Sequence, residues 1–86
     1  MALTKEQLLI ETYKIIEEVT EGRIKEKSIN EHTVILDCGM NSLEYAQVML
    51  GLEELTNITP QEDKINWAEI RTINQLVLLF IQSPNG

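Results

Sequence analysis

The first part of the chain places its apolar residues at the spacing of an amphipathic helix. Thr4 and Gln7 form a T-x-x-Q capping box, in which each side chain satisfies an N–H group that the first turn would leave bare. The pattern stops near Gly22, so we predict a first helix over about residues 4–21. The residues that define this stripe are Leu8, Leu9, Thr12, Tyr13, Ile15, Ile16 and Val19.

A second helix is predicted over about residues 41–56, because Asn41 and Glu44 give another cap signal directly after Gly39. Its apolar surface is wider than one stripe. Gly51 in mid-helix costs about 1 kcal/mol relative to alanine, which suggests that another element approaches closely there. The apolar residues of this helix are Leu43, Ala46, Val48, Met49, Leu50, Leu52 and Leu55.

The last helix is predicted over about residues 72–82, where Thr72 and Gln75 repeat the capping box. It is apolar on almost every side, which is typical of a buried helix. A short helix is predicted just before it, over about residues 66–70, with Trp67 as its anchor.

Residues 22–40 show no helical period, and a connection of that length usually performs a task or packs as structure. Val34, Ile35 and Leu36 have β propensity, but the sequence offers no second strand to pair with them. We therefore interpret this triplet as a buried anchor of the loop.

These elements predict an all-α fold: one domain over residues 1–86, built as a small bundle of three main helices and one short helix, with a long first loop. An apolar share of 43% and a charged share of 24% fit a globular chain. We expect the core to contain Ile15, Ile16, Val19, Val34, Leu52, Leu55, Ile73, Leu76, Val77, Leu79, Phe80 and Ile81.

Cysteine content and hydropathy limit the classes of protein that this chain can represent. Cys38 is the only cysteine, so an internal disulfide and a structural zinc site are excluded. The N-terminal stretch carries Glu6 and Glu11 and does not read as a signal peptide. The longest apolar run, Leu76 to Ile81, is far below the roughly 20 residues that span a bilayer. We expect a soluble cytoplasmic protein without a membrane partner.

Negative charge is concentrated in the middle of the chain. The net charge is −7, and no lysine or arginine lies between Lys27 and Lys64. Such a field repels nucleic acid and attracts basic protein surfaces, although an acidic surface also simply keeps a small protein soluble. The acids of this stretch are Glu31, Asp37, Glu44, Glu53, Glu54, Glu62 and Asp63.

The segment Asp37-Cys38-Gly39-Met40-Asn41-Ser42-Leu43 ends the long loop and places a serine in the first turn of an acidic helix. It resembles the L-G-x-D-S-L attachment motif of the acyl carrier protein family. Leu52-Glu53-Glu54 is similar to the L-E-E of that family's second helix, and Thr72-Ile73 is similar to the T-V that opens its last helix. The resemblance extends over nearly the whole chain.

The resemblance implies a non-catalytic protein with 4′-phosphopantetheine, donated by coenzyme A, esterified to Ser42. Its partners would be a phosphopantetheinyl transferase and acyltransferase, synthase or ligase enzymes of fatty acid, polyketide or related biosynthesis, and the protein would act as a monomer. Basic patches on those enzymes would dock on the second helix. The alternative that stays open is a helix face that is merely solvated. The implied docking residues are Leu43, Glu44, Ala46, Gln47, Leu50, Glu53 and Glu54.

Three positions depart from the family pattern. Asn41 replaces the aspartate before the serine, Cys38 replaces a leucine, and Gln47 stands where a glutamate is usual. Asparagine caps a helix about as well as aspartate, so we expect an unchanged fold. The negative charge that is lost at position 41 would face the transferase in that family, so we expect slower or more selective modification. Asn41 also leaves open a carrier-like helical adaptor that is never phosphopantetheinylated.

Cysteine and methionine side chains are weighed as alternative chemistry. Cys38 is either a reactive thiol or a small buried side chain beneath the motif, and we favour the buried side chain. His32 is too weak a partner for Cys38 to indicate a cysteine hydrolase. Met40 and Met49 are interpreted as core or rim packing.

Overall fold

The computed structural model describes residues 3–60 and 69–81. Three α-helices lie in these ranges: α1 (Lys5–Val19), α2 (Ser42–Thr56) and α3 (Ile73–Ile81). The all-α bundle predicted from the sequence is confirmed, with helix ends within two residues of the predicted ones. The short helix predicted over about 66–70 falls largely outside the described residues.

Each predicted cap forms. Thr4 and Gln7 exchange backbone-to-side-chain hydrogen bonds of 3.0 and 3.1 Å at the start of α1. Thr72 and Gln75 do the same at 3.0 and 3.2 Å before α3. At its other end, α2 stops where Asn57 takes a left-handed conformation with φ of 62°.

The core lies between the three helices and is closed at one side by the loop. Ile16, Leu52 and Leu76 have no exposed surface. The loop supplies four buried apolar side chains at irregular intervals, with exposed fractions of 3–8%. They are Ile24, Ile29, Ile35 and Met40, so the loop packs as structure, with one 3-10 turn at Glu26–Ser28 and another at Ile35–Asp37.

The expectation for the triplet Val34-Ile35-Leu36 was wrong at two of its three positions. Ile35 is 3% exposed and anchors the loop, but Val34 is 37% exposed and Leu36 is 83% exposed. A pairing partner also exists, because Val34 forms an isolated antiparallel bridge with Thr72 just before α3. The Ile35 N–H donates to the Arg71 carbonyl at 2.8 Å. Val34 has extended backbone, in which successive side chains point to opposite sides, so Val34 faces solvent when Ile35 faces the core.

Leu55 was also wrongly assigned to the core. It is 42% exposed, whereas Leu52 on the same helix is fully buried. Ile15 and Val19 are partly buried and pack against the core, as do Leu79 and Ile81. Met40 and Met49 are 8% and 9% exposed and are core residues, as interpreted from the sequence.

Gly51 explains how closely the first two helices approach. A Cβ atom at position 51 would lie 3.2 Å from Cγ2 of Ile15 on α1, closer than side chains normally pack. The close approach that the sequence suggested at Gly51 is therefore confirmed. No helix in the described part of the chain combines the length and apolar character needed to cross a bilayer.

Candidate functional site

Ser42 is the first residue of α2 and is exposed. Gly39, with φ of 107°, turns the loop into the helix, a conformation that glycine adopts without steric cost. Among the described residues, none forms a hydrogen bond with the Ser42 hydroxyl. The first turn of a helix presents N–H groups without helical acceptors and the positive end of the macrodipole, so an oxygen here lies in a field that favours anions.

Asn41 caps this helix through both its side chain and its backbone. Its Oδ1 accepts a hydrogen bond of 2.8 Å from the Glu44 N–H, and its own N–H donates to Glu44 Oε1 at 3.1 Å. The amide therefore caps the helix, as expected from the sequence. The structure gives no reason for the fold to require a carboxylate at position 41.

Arg23 ties the start of the loop to the start of α2. Its guanidinium donates to Oε2 of Glu44 at 2.9 Å, donates through Nη2 to Oε1 as well, and donates to the Gly39 carbonyl at 2.9 Å. The hydrogen bonds from the Arg23 side chain and from the Asn41 backbone lower the pKa of Glu44. The hydrogen bond to Glu44 raises the pKa of Arg23. We call Arg23, Gly39, Asn41 and Glu44 the Arg23 clamp.

The clamp changes the expected role of Glu44. Its side chain is only 12% exposed and its carboxylate already accepts hydrogen bonds from two residues of the same chain. Glu44 therefore holds the helix start, a task that its sequence position did not indicate beyond the cap. The docking role of Glu44 stays a prediction. Before its carboxylate could contact a partner protein, it would have to release the hydrogen bonds from Arg23 and Asn41.

The other predicted docking residues of α2 differ in exposure. Leu43 and Leu50 are 68% and 58% exposed, although both are large and apolar. Ala46, Gln47 and Glu54 are also exposed, and Glu53 is half-buried. Residues 43, 46, 47, 50 and 54 follow one another at spacings of one, three or four residues, so they form a continuous face of α2 that the bundle does not cover. We call this set the exposed α2 face.

Sequence reasoning missed Arg23 and Leu36. Arg23 lies 21 residues before Glu44, and no local spacing rule connects positions so far apart. Leu36, exposed in the 3-10 turn that precedes the motif, adds an apolar side chain to this end of the molecule. The sequence holds one hint: no lysine or arginine lies between Lys27 and Lys64, so a basic partner for the start of α2 had to come from another part of the chain.

Cys38 and His32 engage different partners. The Cys38 thiol donates to the Ile35 carbonyl with Sγ at 3.1 Å from the oxygen, and the residue is partly buried against the core, not fully buried as expected. His32 is exposed, with Nε2 at 3.7 Å from Oε2 of Glu31. In the described ranges, no group of three or more histidine, cysteine, aspartate or glutamate residues is arranged to hold a metal ion.

Comparison of the chain with models of known protein families, with curated proteins and with solved structures finds no significant match.

Proposed function

We propose that this protein is an acyl carrier, in which Ser42 bears 4′-phosphopantetheine and the exposed α2 face docks on partner enzymes. The observation that carries the proposal is the position of Ser42, exposed and at the first residue of α2. The motif, the order of the helices and the acidic middle of the chain support the same function.

The residues around Ser42 fit an attached phosphodiester. The hydroxyl is exposed and has no hydrogen-bond partner among the described residues, so its substitution breaks no observed contact. An anion on this oxygen would lie at the positive end of the α2 macrodipole. When bound, the prosthetic group supplies a thiol that carries an acyl or aminoacyl chain as a thioester.

The chain itself supplies the nucleophile and its presentation. The Arg23 clamp holds the backbone on both sides of Ser42, from Gly39 to Glu44. No basic side chain is needed to activate Ser42, because a phosphopantetheinyl transferase would remove its proton. The Ser42 oxygen would then form a bond to the phosphorus that carries pantetheine in coenzyme A, the pyrophosphate bond would break, and adenosine 3′,5′-bisphosphate would leave. The proposal places the protein in the cytoplasm as a monomer.

The exposed α2 face is suited to docking on partner enzymes. Leu43 and Leu50 would pack into apolar hollows, while Gln47 and Glu54 would contact basic side chains. Glu53 is half-buried beside this face and would add a further acidic contact. Transferase, acyltransferase, synthase or ligase enzymes with basic patches meet these requirements. Charges at the edge of such an interface set the encounter rate and the choice of partner more than the affinity.

A carrier-like adaptor without a prosthetic group is the second candidate, and Asn41 is the observation that favours it. The amide lacks the charge that would face the metal and basic groups of a transferase. Such an adaptor would use the same exposed α2 face and leave Ser42 unmodified.

Intact-mass analysis separates the two functions. The protein is incubated with coenzyme A and several phosphopantetheinyl transferases, and the carrier function predicts a mass increase of one phosphopantetheine group. The variant Ser42→Ala should show no increase. The control Ser28→Ala, at an exposed serine of the loop, should be modified as the unaltered protein is. An unaltered mass with every transferase would contradict the carrier function and favour the adaptor. Modification of the Ser42→Ala variant would show that the group is attached to another residue.

A further inference from the structure

An open groove with a volume of about 510 Å³ lies between the C-terminal end of α1 and the middle of α2. Glu18, Val19 and Glu21 line it on the α1 side, and Gln47, Leu50 and Glu54 line it on the α2 side. Only the last three belong to the docking residues predicted from the sequence. The α1 side is a new part of the surface.

The groove has the length of two helical turns. Positions 47, 50 and 54 on α2 are spaced by three and four residues, and seven residues of α-helix span about 10.5 Å. Gly51 forms part of the floor, where its missing side chain lets Ile15 of α1 approach. Val19 and Leu50 make the floor apolar, and Leu50 is 58% exposed.

The rim of the groove is negatively charged, although Arg23, whose guanidinium pairs with Glu44, also interacts electrostatically with Glu21. Glu18, Glu21 and Glu54 are exposed, and none of them forms an ion pair with another residue in the part of the chain that the structure describes. Among the residues that the structure describes, no basic residue lines the groove, and the last turn of α1 contains none. The C-terminal end of α1 adds the negative pole of its macrodipole to the charges of Glu18 and Glu21.

We propose that this groove binds a basic amphipathic helix of a partner protein. Apolar side chains one turn apart on that helix would cover Val19 and Leu50, and lysine or arginine side chains beside them would reach Glu18, Glu21 and Glu54. Charge complementarity selects this occupant, because an acidic or neutral helix would leave Glu18 and Glu54 at the rim without a cation. The inference extends the docking surface of the proposed function onto α1, and it does not depend on modification of Ser42.

The test uses the unmodified protein and a defined probe. The probe is a fluorescent peptide of about four helical turns, made of leucine and lysine at amphipathic spacing, and its counterpart with glutamate in place of lysine is the control peptide. We expect backbone amide NMR shifts on addition of the lysine peptide to concentrate at residues 18–21 and 47–54. The glutamate peptide should cause no shifts there.

Matched variants separate the groove from the overall charge. The triple variant Glu18→Gln, Glu21→Gln, Glu54→Gln should weaken binding of the lysine peptide about tenfold, measured by anisotropy at about 0.15 M salt. The control triple variant removes equal charge at Glu6, Glu11 and Glu69, none of which lines the groove, and should weaken it less than about twofold.

Equal weakening by the two triple variants would overturn the proposal, because binding would then follow net charge alone. Shifts centred on Leu36 and Leu43 would overturn it as well, since the peptide would then occupy the surface beside Ser42. The NMR arm needs no variant and so is independent of any effect on folding. Failure of the proposed carrier function would be distinguishable, because intact-mass analysis would show no added group on the protein while the lysine peptide still bound.

Discussion

The carboxylate of Glu44 accepts hydrogen bonds from the guanidinium of Arg23, which lies 21 residues earlier in the chain. The same carboxylate accepts the Asn41 N–H, and the same guanidinium donates to the Gly39 carbonyl. One pair of side chains therefore connects the start of the loop, the end of the loop and the start of α2. Ser42 lies inside the segment that this pair holds.

Removal of the Arg23 side chain should loosen the helix start. Arg23→Gln eliminates the bidentate contact with Glu44 and the bond to the Gly39 carbonyl, so we expect a lower Tm and faster amide hydrogen exchange at residues 40–45. Arg71→Gln is the matched control, since the described residues show no hydrogen bond or ion pair of the Arg71 side chain. Equal Tm values and exchange rates for the two variants would contradict a clamping role.

The stability of the fold should fall in acid through Glu44. Its pKa lies below the ordinary value of 4.5 in the folded protein, so the unfolded chain binds more protons as the pH drops through that region. The stabilisation is present above pH 4.5 and is lost as the pH falls from there through the lower folded pKa. Urea unfolding at a series of pH values measures this slope.

The Arg23→Gln variant is the control for this pH dependence. Because Arg23 is the largest cause of the lowered pKa of Glu44, its removal should make the acid limb of the stability curve shallower. An unchanged slope would show that other carboxylates account for the loss of stability in acid.

Substitutions at position 41 should separate helix capping from recognition by a transferase. Asn41→Asp keeps an equally good cap, so we expect the free energy of unfolding to change by less than about 0.5 kcal/mol. Under the proposed carrier function, the added charge should raise the rate of modification up to about fivefold, because one exposed charge contributes about 0–1 kcal/mol.

Asn41→Ala is the complementary variant. It loses the bond from the Glu44 N–H and should cost about 1 kcal/mol of stability. Chemical denaturation and the kinetics of mass increase measure the two effects. A slower reaction of Asn41→Asp than of the unaltered protein would contradict the role assigned to this charge.

Two leucines of α2, three residues apart, should differ strongly on truncation. Leu52→Ala creates a cavity at a fully buried site and should cost about 2–5 kcal/mol. Leu55→Ala removes a side chain that is 42% exposed and should cost less than about 1 kcal/mol. Chemical denaturation of the two variants measures the difference, and similar losses would mean that Leu55 packs more tightly than its exposure indicates.

The sequence by itself determined the helices and their starts. The three capping boxes, at Thr4, Asn41 and Thr72, are local hydrogen-bond patterns within four residues, so short-range spacing is enough to identify them. The apolar periodicity of α1 and the almost wholly apolar α3 identified the bundle in the same way. The position of Ser42 at the start of α2 follows from the Asn41 cap alone.

Only the tertiary structure decided which apolar residues are buried and which charges are paired. The apolar surface of α2 is too wide to show from periodicity that Leu52 faces the core while Leu50 and Leu55 face solvent. Which of these leucines faces the core depends on the contact between Ile15 and Gly51, because that contact sets the rotation of α2 against α1. The Arg23–Glu44 pair and the groove between α1 and α2 likewise arise from residues distant in the chain, which no local pattern connects.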